Sequence, residues 1–206
     1  MGKLERQVMM LKKLENRVKD HLSPARWEHT QGVIEASLLL VDCHGLSIEP
    51  QRVQIAALLH DCAKDLSLRD QLKRAADFGI VLTSSDLLCP KTLHGPVGAG
   101  IARHIYGIED RDILRAIALH TTGAPGMTVL AKIIFLADYI EPGRRFPNVE
   151  RLRAIAVRNL DEAVLSCMNH TLNHLLVQGV CIHQRMIAAR NYLLATVLDP
   201  RLRKEG

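Results

Sequence analysis

The segment that decides the fold is IAALLHDCAKD, Ile55–Asp65, in which a histidine and an aspartate, His60 and Asp61, stand side by side at the end of an apolar run. The run has helical apolar spacing and predicts a helix from Pro50 to about Asp65. An imidazole next to a carboxylate suits a divalent metal that binds phosphate oxygens and water. A single pair of this kind is weak evidence, so the interpretation depends on partners elsewhere in the chain.

Further potential ligands occur in segments with helical spacing: His29 in RWEHTQGV, His94 in LHGPVGA, His120 in ALHTTG and Asp138 in FLADYIEPG. A helical bundle can bring such residues into one cavity. The predicted metal ligands are His29, His60, Asp61 and Asp138. Two imidazoles and two carboxylates would leave positions open for water and a phosphoryl oxygen. His94 and His120 are then either ligands of a second metal, bridged by Asp61, or groups that neutralise substrate phosphates.

The remaining sequence predicts an all-α fold, a single helical bundle, because apolar residues recur at helical spacing and strand signals are poor. Ser23 and Pro24 mark a helix start, and Gly45 marks a stop. We expect an N-terminal helical extension over 1–22, one domain over 23–198 and a tail over 199–206. Further helices are predicted at about 67–78, 94–106, 110–120, 127–140, 149–178 with a break, and 184–198.

Composition limits the functional classes. The chain has 206 residues, of which 48% are hydrophobic, enough to bury the core of one domain. Five cysteines without a C-x-x-C pair are typical of a reducing cytosol, so we expect a cytoplasmic protein. No apolar run is long enough to span a bilayer, which predicts no membrane association.

The formal net charge of +5 favours anionic ligands in general. Nucleic acid is an unlikely partner, since aromatic residues make up only 3% of the chain and single-strand binding relies on stacking. A G-x-x-x-x-G-K-[ST] phosphate loop is absent, which argues against motor or kinase chemistry. Cys62 has no nucleophile motif and is interpreted as packing. A homodimer is possible.

The strings WEHTQGV, ALLHDCAKD, LHGPVGA, HTTGAPGM and KIIFLADYIEPGRRFPNVE resemble the YqeK family of symmetrical diadenosine tetraphosphate hydrolases, which are HD-domain phosphohydrolases. The resemblance runs from about Arg26 to Asn191, with Gln184 standing where relatives have proline. It implies metal-dependent cleavage of a dinucleoside polyphosphate into two ADP molecules, with iron as the cofactor. Manganese, cobalt or zinc would also suit these ligands.

Within this resemblance, Asp61, His94 and His120 are the predicted catalytic residues. The predicted phosphate or nucleotide contacts are Arg26, Lys64, His94, His120, Thr121, Arg144 and His183. Lys64 follows the dyad by one predicted helical turn, and the guanidinium of Arg144 can bind a phosphate in bidentate fashion. His170 and His174 are four residues apart but are interpreted as a helix surface. The alternatives are an HD-type nucleotidase, a guanosine tetraphosphate hydrolase, or a non-catalytic nucleotide-sensing or RNA-associated protein.

Overall fold

A computed structural model describes residues 2–198, and every regular element in that range is helical. The predicted all-α fold class is therefore confirmed, whereas the predicted tail 199–206 lies outside the described residues. The helices are α1 (Lys3–Lys19), α2 (Pro24–Cys43), α3 (Pro50–Leu59), α4 (Leu68–Asp77), α5 (Ser84–Leu88), α6 (His94–His104), α7 (Arg111–Leu119), α8 (Val129–Ile140), α9 (Val149–Ala156), α10 (Leu160–Val177) and α11 (Gln184–Leu198). A 3₁₀ turn, Pro90–Thr92, precedes α6. None of the helices between residues 2 and 198 combines the length and apolar character needed to cross a bilayer.

Side-chain caps start three of the helices that carry the site, α2, α7 and α8. The Ser23 hydroxyl accepts a hydrogen bond from the Arg26 amide at the beginning of α2, as the sequence predicts. Asp110 caps α7 in the same way, and Thr128 caps α8. At the other end of α2, Gly45 adopts a φ of 57°, a left-handed conformation that stops the helix. These caps fix where each helix begins and therefore which side chains face inward.

The core is aliphatic and centres on α8. Ile133, Ile134 and Leu136 are fully buried, and α8 contacts α2, α3, α7, α9 and α10. Because α8 is covered on several sides, its polar residues must find partners within the protein. Asp138 lies in the last turn of this helix, so the packing of α8 fixes the position of that carboxylate.

The predicted helix through the His60-Asp61 dyad was wrong at its C-terminal end. α3 ends at Leu59, and residues 60–65 form turns, in which the Lys64 amide donates to the Asp61 carbonyl at 2.9 Å. The physical reason is a side-chain hydrogen bond, because His60 Nδ1 donates to the Ala57 carbonyl at 2.7 Å and takes an acceptor of the last helical turn. Lys64 is therefore placed beside the dyad by a turn and does not share a helix face with it.

The segment predicted as 149–178 with a break has that break, because residues 157–159 separate α9 from α10. The sequence pattern missed α5 and the 3₁₀ turn, because both are too short to show helical periodicity. This short pair leads the chain into His94 at the start of α6.

α6 and α7 approach each other closely where α6 has glycine. A Cβ atom added to Gly95 would lie 2.8 Å from the Ala118 carbonyl oxygen, which is backbone and cannot swing away. At Gly98, one turn later, an added Cβ would find its nearest neighbours at 3.5 Å, an ordinary contact distance. Gly95 thus permits the contact that sets His94 against His120.

We predict opposite effects for alanine at these two glycines. Gly95→Ala should lower the free energy of unfolding by about 1–3 kcal/mol, because α6 must shift away from α7. Gly98→Ala is the matched control and should raise it by up to about 1 kcal/mol, because alanine favours the helix. Chemical denaturation of the three proteins measures both changes. Equal effects at the two positions would contradict the close approach at Gly95.

Candidate metal centre

The structure brings six predicted residues to one buried junction between helices. They are His29 from α2, His60 and Asp61 from the turn after α3, His94 from the first position of α6, His120 directly after α7, and Asp138 from α8. Three overlapping sets among them place potential ligand atoms within 4.8 Å of one another: His29, His60 and Asp61; His60, His120 and Asp138; Asp61, His94 and His120. Residues from five parts of the chain therefore converge, as the sequence order predicts.

His29 is at the centre of one half of the junction. Its Nε2 atom lies 3.3 Å from His60 Nε2 and 3.1 Å from Asp138 Oδ1. Asp61 Oδ2 is slightly farther away, at 3.7 Å from His29 Nε2 and 3.6 Å from His60 Nε2. The four residues predicted as metal ligands thus present two imidazole nitrogens and two carboxylates to the same small space.

Asp61 connects this half to the other two histidines. Its Oδ1 atom lies 3.2 Å from His94 Nε2 and 3.3 Å from His120 Nε2, and these two nitrogens are 3.1 Å apart. One carboxylate oxygen therefore faces each half of the junction. This geometry is compatible with either sequence-based interpretation of His94 and His120, as ligands of a second ion bridged by Asp61 or as substrate contacts.

Hydrogen bonds fix the orientation of all the imidazoles. Three histidines of the junction have Nδ1 at a backbone carbonyl three residues earlier: Ala57 for His60 (2.7 Å), Lys91 for His94 (2.9 Å) and Ile117 for His120 (2.7 Å). His29 Nδ1 instead lies 3.2 Å from Glu141 Oε1. A carbonyl only accepts hydrogen bonds, so Nδ1 carries the proton and Nε2 of the neutral ring keeps its lone pair. Donation of the other ring N–H to a carbonyl or carboxylate is the usual arrangement of metal-binding histidines.

The donor set fits a divalent cation. Asp61 Oδ1 is buried and makes no hydrogen bond, although two imidazole nitrogens surround it. Since those nitrogens present lone pairs, the oxygen faces other electron-rich atoms in a region of low dielectric constant, which is unfavourable without a positive charge between them. Nitrogen and carboxylate ligands together suit iron, manganese, cobalt or zinc.

Burial and neighbouring charge set the protonation states of the junction. Burial lowers the pKa of His60 and of His94 to about 4, against the opposing effect of Asp61, so both rings are neutral at pH 7. Asp61 is ionised, because Arg26 Nη1 lies 2.6 Å from its Oδ2 atom. Burial opposes ionisation of both Asp138 and His29, but the hydrogen bond between them lowers the pKa of Asp138 and raises the pKa of His29. A metal bound at His29 would therefore displace a proton.

Three cationic side chains lie against the junction. Arg26 Nη1 is 2.6 Å from Asp61 Oδ2, and Arg144 Nη2 is 2.6 Å from Asp138 Oδ1. Lys64 Nζ lies 3.1 Å from His94 Nε2. The predicted phosphate-binding residues Arg26, Lys64 and Arg144 are thus brought to the potential ligands.

The other two predicted contacts have different surroundings. Thr121 follows His120, and its hydroxyl oxygen is buried without a hydrogen-bond partner. His183 is buried, with Nε2 3.1 Å from Asp86 Oδ1 and Nδ1 accepting from the Arg185 amide at 3.1 Å. Nε2 of His183 therefore joins the start of α11 to α5, and Nδ1 accepts from the first turn of α11. The nucleotide contact of His183 stays a prediction.

Cys62 is interpreted as a packing residue, and its surroundings agree. Burial, with the nearby Asp61 carboxylate, raises the pKa of its thiol to about 12. Its Sγ atom lies 3.6 Å from the Gly98 carbonyl oxygen. A thiol in this environment is protonated at pH 7 and is a poor nucleophile.

Sequence reasoning missed Glu141. This residue is buried, its Oε1 atom is 3.2 Å from His29 Nδ1, and its other oxygen accepts a hydrogen bond from the Gly143 amide. Gly32 leaves room for it, since a Cβ there would lie 2.6 Å from Glu141 Oε2. Glu141 orients His29 as a carboxylate behind a ligand does. The available signal was its place three residues after Asp138 in a Pro-Gly turn.

Comparison with known proteins agrees with this geometry. The profile of the HD domain family matches residues 26–143, which include all six residues of the junction. A protein of Halalkalibacterium halodurans named "Bis(5'-nucleosyl)-tetraphosphatase, symmetrical" is 41% identical over 86% of this chain and 93% of its own length. Proteins with the same name from Staphylococcus aureus and Bacillus subtilis are 35% and 34% identical, over 89% and 86% of this chain and 94% of each relative. The chain belongs to the YqeK family of HD-domain hydrolases.

A solved structure of the HD superfamily has the same fold. It is described as a predicted HD superfamily hydrolase involved in NAD metabolism from Clostridium acetobutylicum, and it matches with a TM-score of 0.85 and 36% identity. The match covers 89% of this chain and 96% of that one. The helical arrangement that builds the junction is therefore shared along nearly the whole chain of that structure.

We predict that Asp61→Asn loses bound metal and activity while the fold is retained. The amide keeps the shape of the side chain but removes the charge that faces both halves of the junction. Metal analysis of freshly purified protein, with circular dichroism, measures this. Asp77→Asn is the matched control, because Asp77 is an exposed residue paired with Lys73. Full metal content in Asp61→Asn would contradict the assignment.

The same measurement on His94→Ala and His120→Ala separates the two roles of these residues. Loss of one metal equivalent with the other retained identifies ligands of a second ion. Unchanged stoichiometry with a higher KM or lower kcat identifies contacts to substrate.

Proposed function

We propose that the protein hydrolyses diadenosine tetraphosphate symmetrically into two ADP molecules. The observation that supports this best is the buried imidazole–carboxylate junction with Arg26, Lys64 and Arg144 against it. Such a site combines potential metal ligands with cationic side chains that can bind several phosphate groups. Relatives that match this chain over nearly their whole length bear the name of that activity.

The proposed metal ligands are His29, His60, Asp61 and Asp138. A divalent metal held there would polarise a phosphoryl oxygen and lower the pKa of a water molecule. His60 is neutral, and the ion pairs with Arg26 and Arg144 keep Asp61 and Asp138 ionised, as this binding requires. Burial lowers the pKa of His29, but its hydrogen bonds to Asp138 and Glu141 raise it overall, so His29 would lose a proton when the metal binds. Iron is the proposed ion by family resemblance, and manganese, cobalt or zinc would also suit the donors.

The cationic residues are proposed to position the substrate. Dinucleoside tetraphosphates carry several negatively charged phosphates in a row. Arg26 is paired with Asp61 and Arg144 with Asp138, so the two guanidinium groups can bind phosphates at different points. Guanidinium groups bind phosphate oxygens in bidentate geometry, whereas Lys64 acts as a point charge beside His94. Thr121 adds a hydroxyl without a partner of its own. When the phosphates are bound at separate points, the phosphate chain has one fixed position relative to the attacking water.

The position of the phosphate chain determines which bond is broken. Water attacks an inner phosphorus, a new bond forms between this phosphorus and the water oxygen, and the central P–O–P bridge breaks. One ADP leaves with the bridging oxygen, and the other ADP carries the oxygen from water. Asp61, His94 and His120 are the proposed catalytic residues because they surround the point where both halves of the junction meet. Positioning of this kind can supply a large part of the rate acceleration.

The limits of the domain and its location in the cell remain predictions. We propose that the domain extends beyond the matched residues 26–143 to residues 23–198, because α9, α10 and α11 complete the core around α8. The free cysteines support a cytoplasmic location.

We predict that hydrolysis of diadenosine tetraphosphate in isotopically labelled water yields ADP as the sole nucleotide product, half of it labelled. Mass spectrometry of the products measures this. AMP and ATP in equal amounts would show asymmetric cleavage and contradict the proposal. Binding without any product would instead favour a nucleotide sensor, and turnover of mononucleotides or guanosine tetraphosphate alone would favour another HD-type activity.

We predict that Arg144→Ala lowers kcat/KM by about tenfold to a hundredfold, the effect expected for losing a charge-assisted hydrogen bond. Arg145→Ala is the matched control, because the Arg145 guanidinium donates only to backbone carbonyls, those of Pro142 and Arg144. Its activity should stay close to that of the unmodified protein. Equal losses in both variants would show that the loop, and not the charge of Arg144, matters.

A further inference from the structure

Two of the five cysteines lie next to each other, although they are far apart in the sequence. The Cys89 thiol donates to the Cys181 carbonyl oxygen, with Sγ and the oxygen 3.6 Å apart, across 92 residues of chain. Cys89 is buried at the end of α5, whereas Cys181 is exposed in the connection between α10 and α11. Both are free thiols. The fold therefore holds one buried thiol and one accessible thiol in neighbouring segments.

A second contact holds the same two segments together. His183 follows Cys181 by two residues, and its Nε2 atom lies 3.1 Å from Oδ1 of Asp86, three residues before Cys89. His183 and Asp86 are both buried. The connection between α10 and α11 is thus fixed against α5 at two points. The proximity of the two cysteines is therefore a property of the packing.

The separation of the two residues is within reach of a disulfide. A carbonyl oxygen is roughly 2.4 Å from the Cα atom of its own residue, so Cys89 Sγ lies within roughly 6 Å of the Cys181 Cα atom. The exposed Cys181 side chain can change its rotamer to face Cys89. A small approach of the two segments then brings the sulfur atoms to the bonding distance of about 2.05 Å.

We propose that Cys89 and Cys181 form a reversible disulfide when the protein meets a low-molecular-weight disulfide. The Cys181 thiolate attacks one sulfur of that disulfide and releases one thiol. Cys89 gives its proton to water, and its thiolate attacks Cys181 Sγ in the mixed disulfide and releases the second thiol. Two protein thiols are thereby oxidised by two electrons, and the small disulfide is reduced to two thiols. Transient disulfides of this kind are compatible with a reducing cytosol.

The different surroundings of the two thiols set the order of these steps. Burial raises the pKa of the Cys89 thiol, and the nearby Cys181 and Asp86 act in the same direction. Cys89 is therefore protonated at pH 7 and shielded from a bulky reagent. Cys181 is accessible and reacts first. Once the mixed disulfide has formed, the second step is intramolecular and is favoured by proximity.

The disulfide would act on the metal centre through one short turn. Cys89 directly precedes the 3₁₀ turn Pro90–Thr92, and the Lys91 carbonyl in that turn accepts the hydrogen bond from His94 Nδ1 at 2.9 Å. Closing the bridge draws this turn towards Cys181 and shifts the carbonyl that orients His94. We therefore expect oxidation to slow hydrolysis. This effect on the rate rests on the proposed function, in which His94 is a catalytic residue.

The first experiment maps the bridge in the full chain. The protein is incubated with oxidised glutathione, its remaining thiols are alkylated, and its peptides are analysed by mass spectrometry. We expect one linked peptide pair that contains Cys89 and Cys181, and an unfolding temperature raised by about 5–15 °C. Dithiothreitol should reverse both changes. Cys181→Ser, an exposed position with little risk to folding, should abolish them, whereas the matched control Cys43→Ser, another exposed cysteine, should keep them.

The second experiment compares the hydrolysis of diadenosine tetraphosphate by reduced and oxidised protein. Oxidation should lower kcat by about fivefold to a hundredfold, the range expected when a catalytic group is displaced. Dithiothreitol should restore the rate. Cys181→Ser treated in the same way should keep its rate, which separates the bridge from any effect of the reagents on the bound metal.

The possible failures are distinguishable. A glutathione adduct on Cys181 without a bridge to Cys89, or bridges only between two chains, would overturn the proposed disulfide. A bridge that leaves the rate unchanged would overturn its effect on His94. If the reduced protein releases no ADP, the proposed function fails, and peptide mapping with thermal unfolding still decides whether the bridge forms.

Discussion

The structure depends on how buried negative charge and imidazole lone pairs are compensated at one junction. Asp61 is almost fully buried, and one of its oxygens has no hydrogen-bond donor. An uncompensated carboxylate in a protein interior is strongly unfavourable, so the site requires positive charge close by. Arg26 meets one oxygen, and the donor set around the other fits a metal cation. The packing of the helices around the junction therefore has to satisfy two conditions: it buries apolar side chains, and it brings positive charge to the buried carboxylate.

This requirement explains why the local backbone orients most of the imidazoles. His60, His94 and His120 each donate to a carbonyl three residues earlier, so the backbone itself sets the direction of their Nε2 atoms. An imidazole oriented in this way needs no further side chain to hold it, which leaves room for the aliphatic core. His29 is the exception, because it stands within α2 and relies on Glu141 from the end of α8. The contact between α2 and α8 therefore fixes both the core and the first half of the site.

The sequence predicted which side chains come together better than it predicted the details of their geometry. The order of His29, the dyad, His94, His120 and Asp138 was recognisable because it depends only on residue types and their sequence in the chain. The helix 184–198 was predicted with the bounds that the structure has. The end of α3 was wrong because the His60–Ala57 hydrogen bond leaves no trace in apolar periodicity. Glu141 was missed because its place after Asp138 is a weak signal in the sequence, and its contact with His29 appears only when α2 and α8 are seen side by side. His183 shows the converse, since only its tertiary partner Asp86 reveals how it is engaged.

The choice of arginine at positions 26 and 144 follows from the same charges. A guanidinium has five N–H donors, so it can hold a carboxylate and still offer donors to a phosphate. Arg144 uses Nε and Nη2 for Asp138, and Nη1 remains for a further acceptor. An ammonium group concentrates its charge at one atom and would have to choose between the two partners. Arginine at position 144 would thus let one residue both fix Asp138 and bind substrate as proposed, which would connect the stability of the junction to recognition of the phosphates.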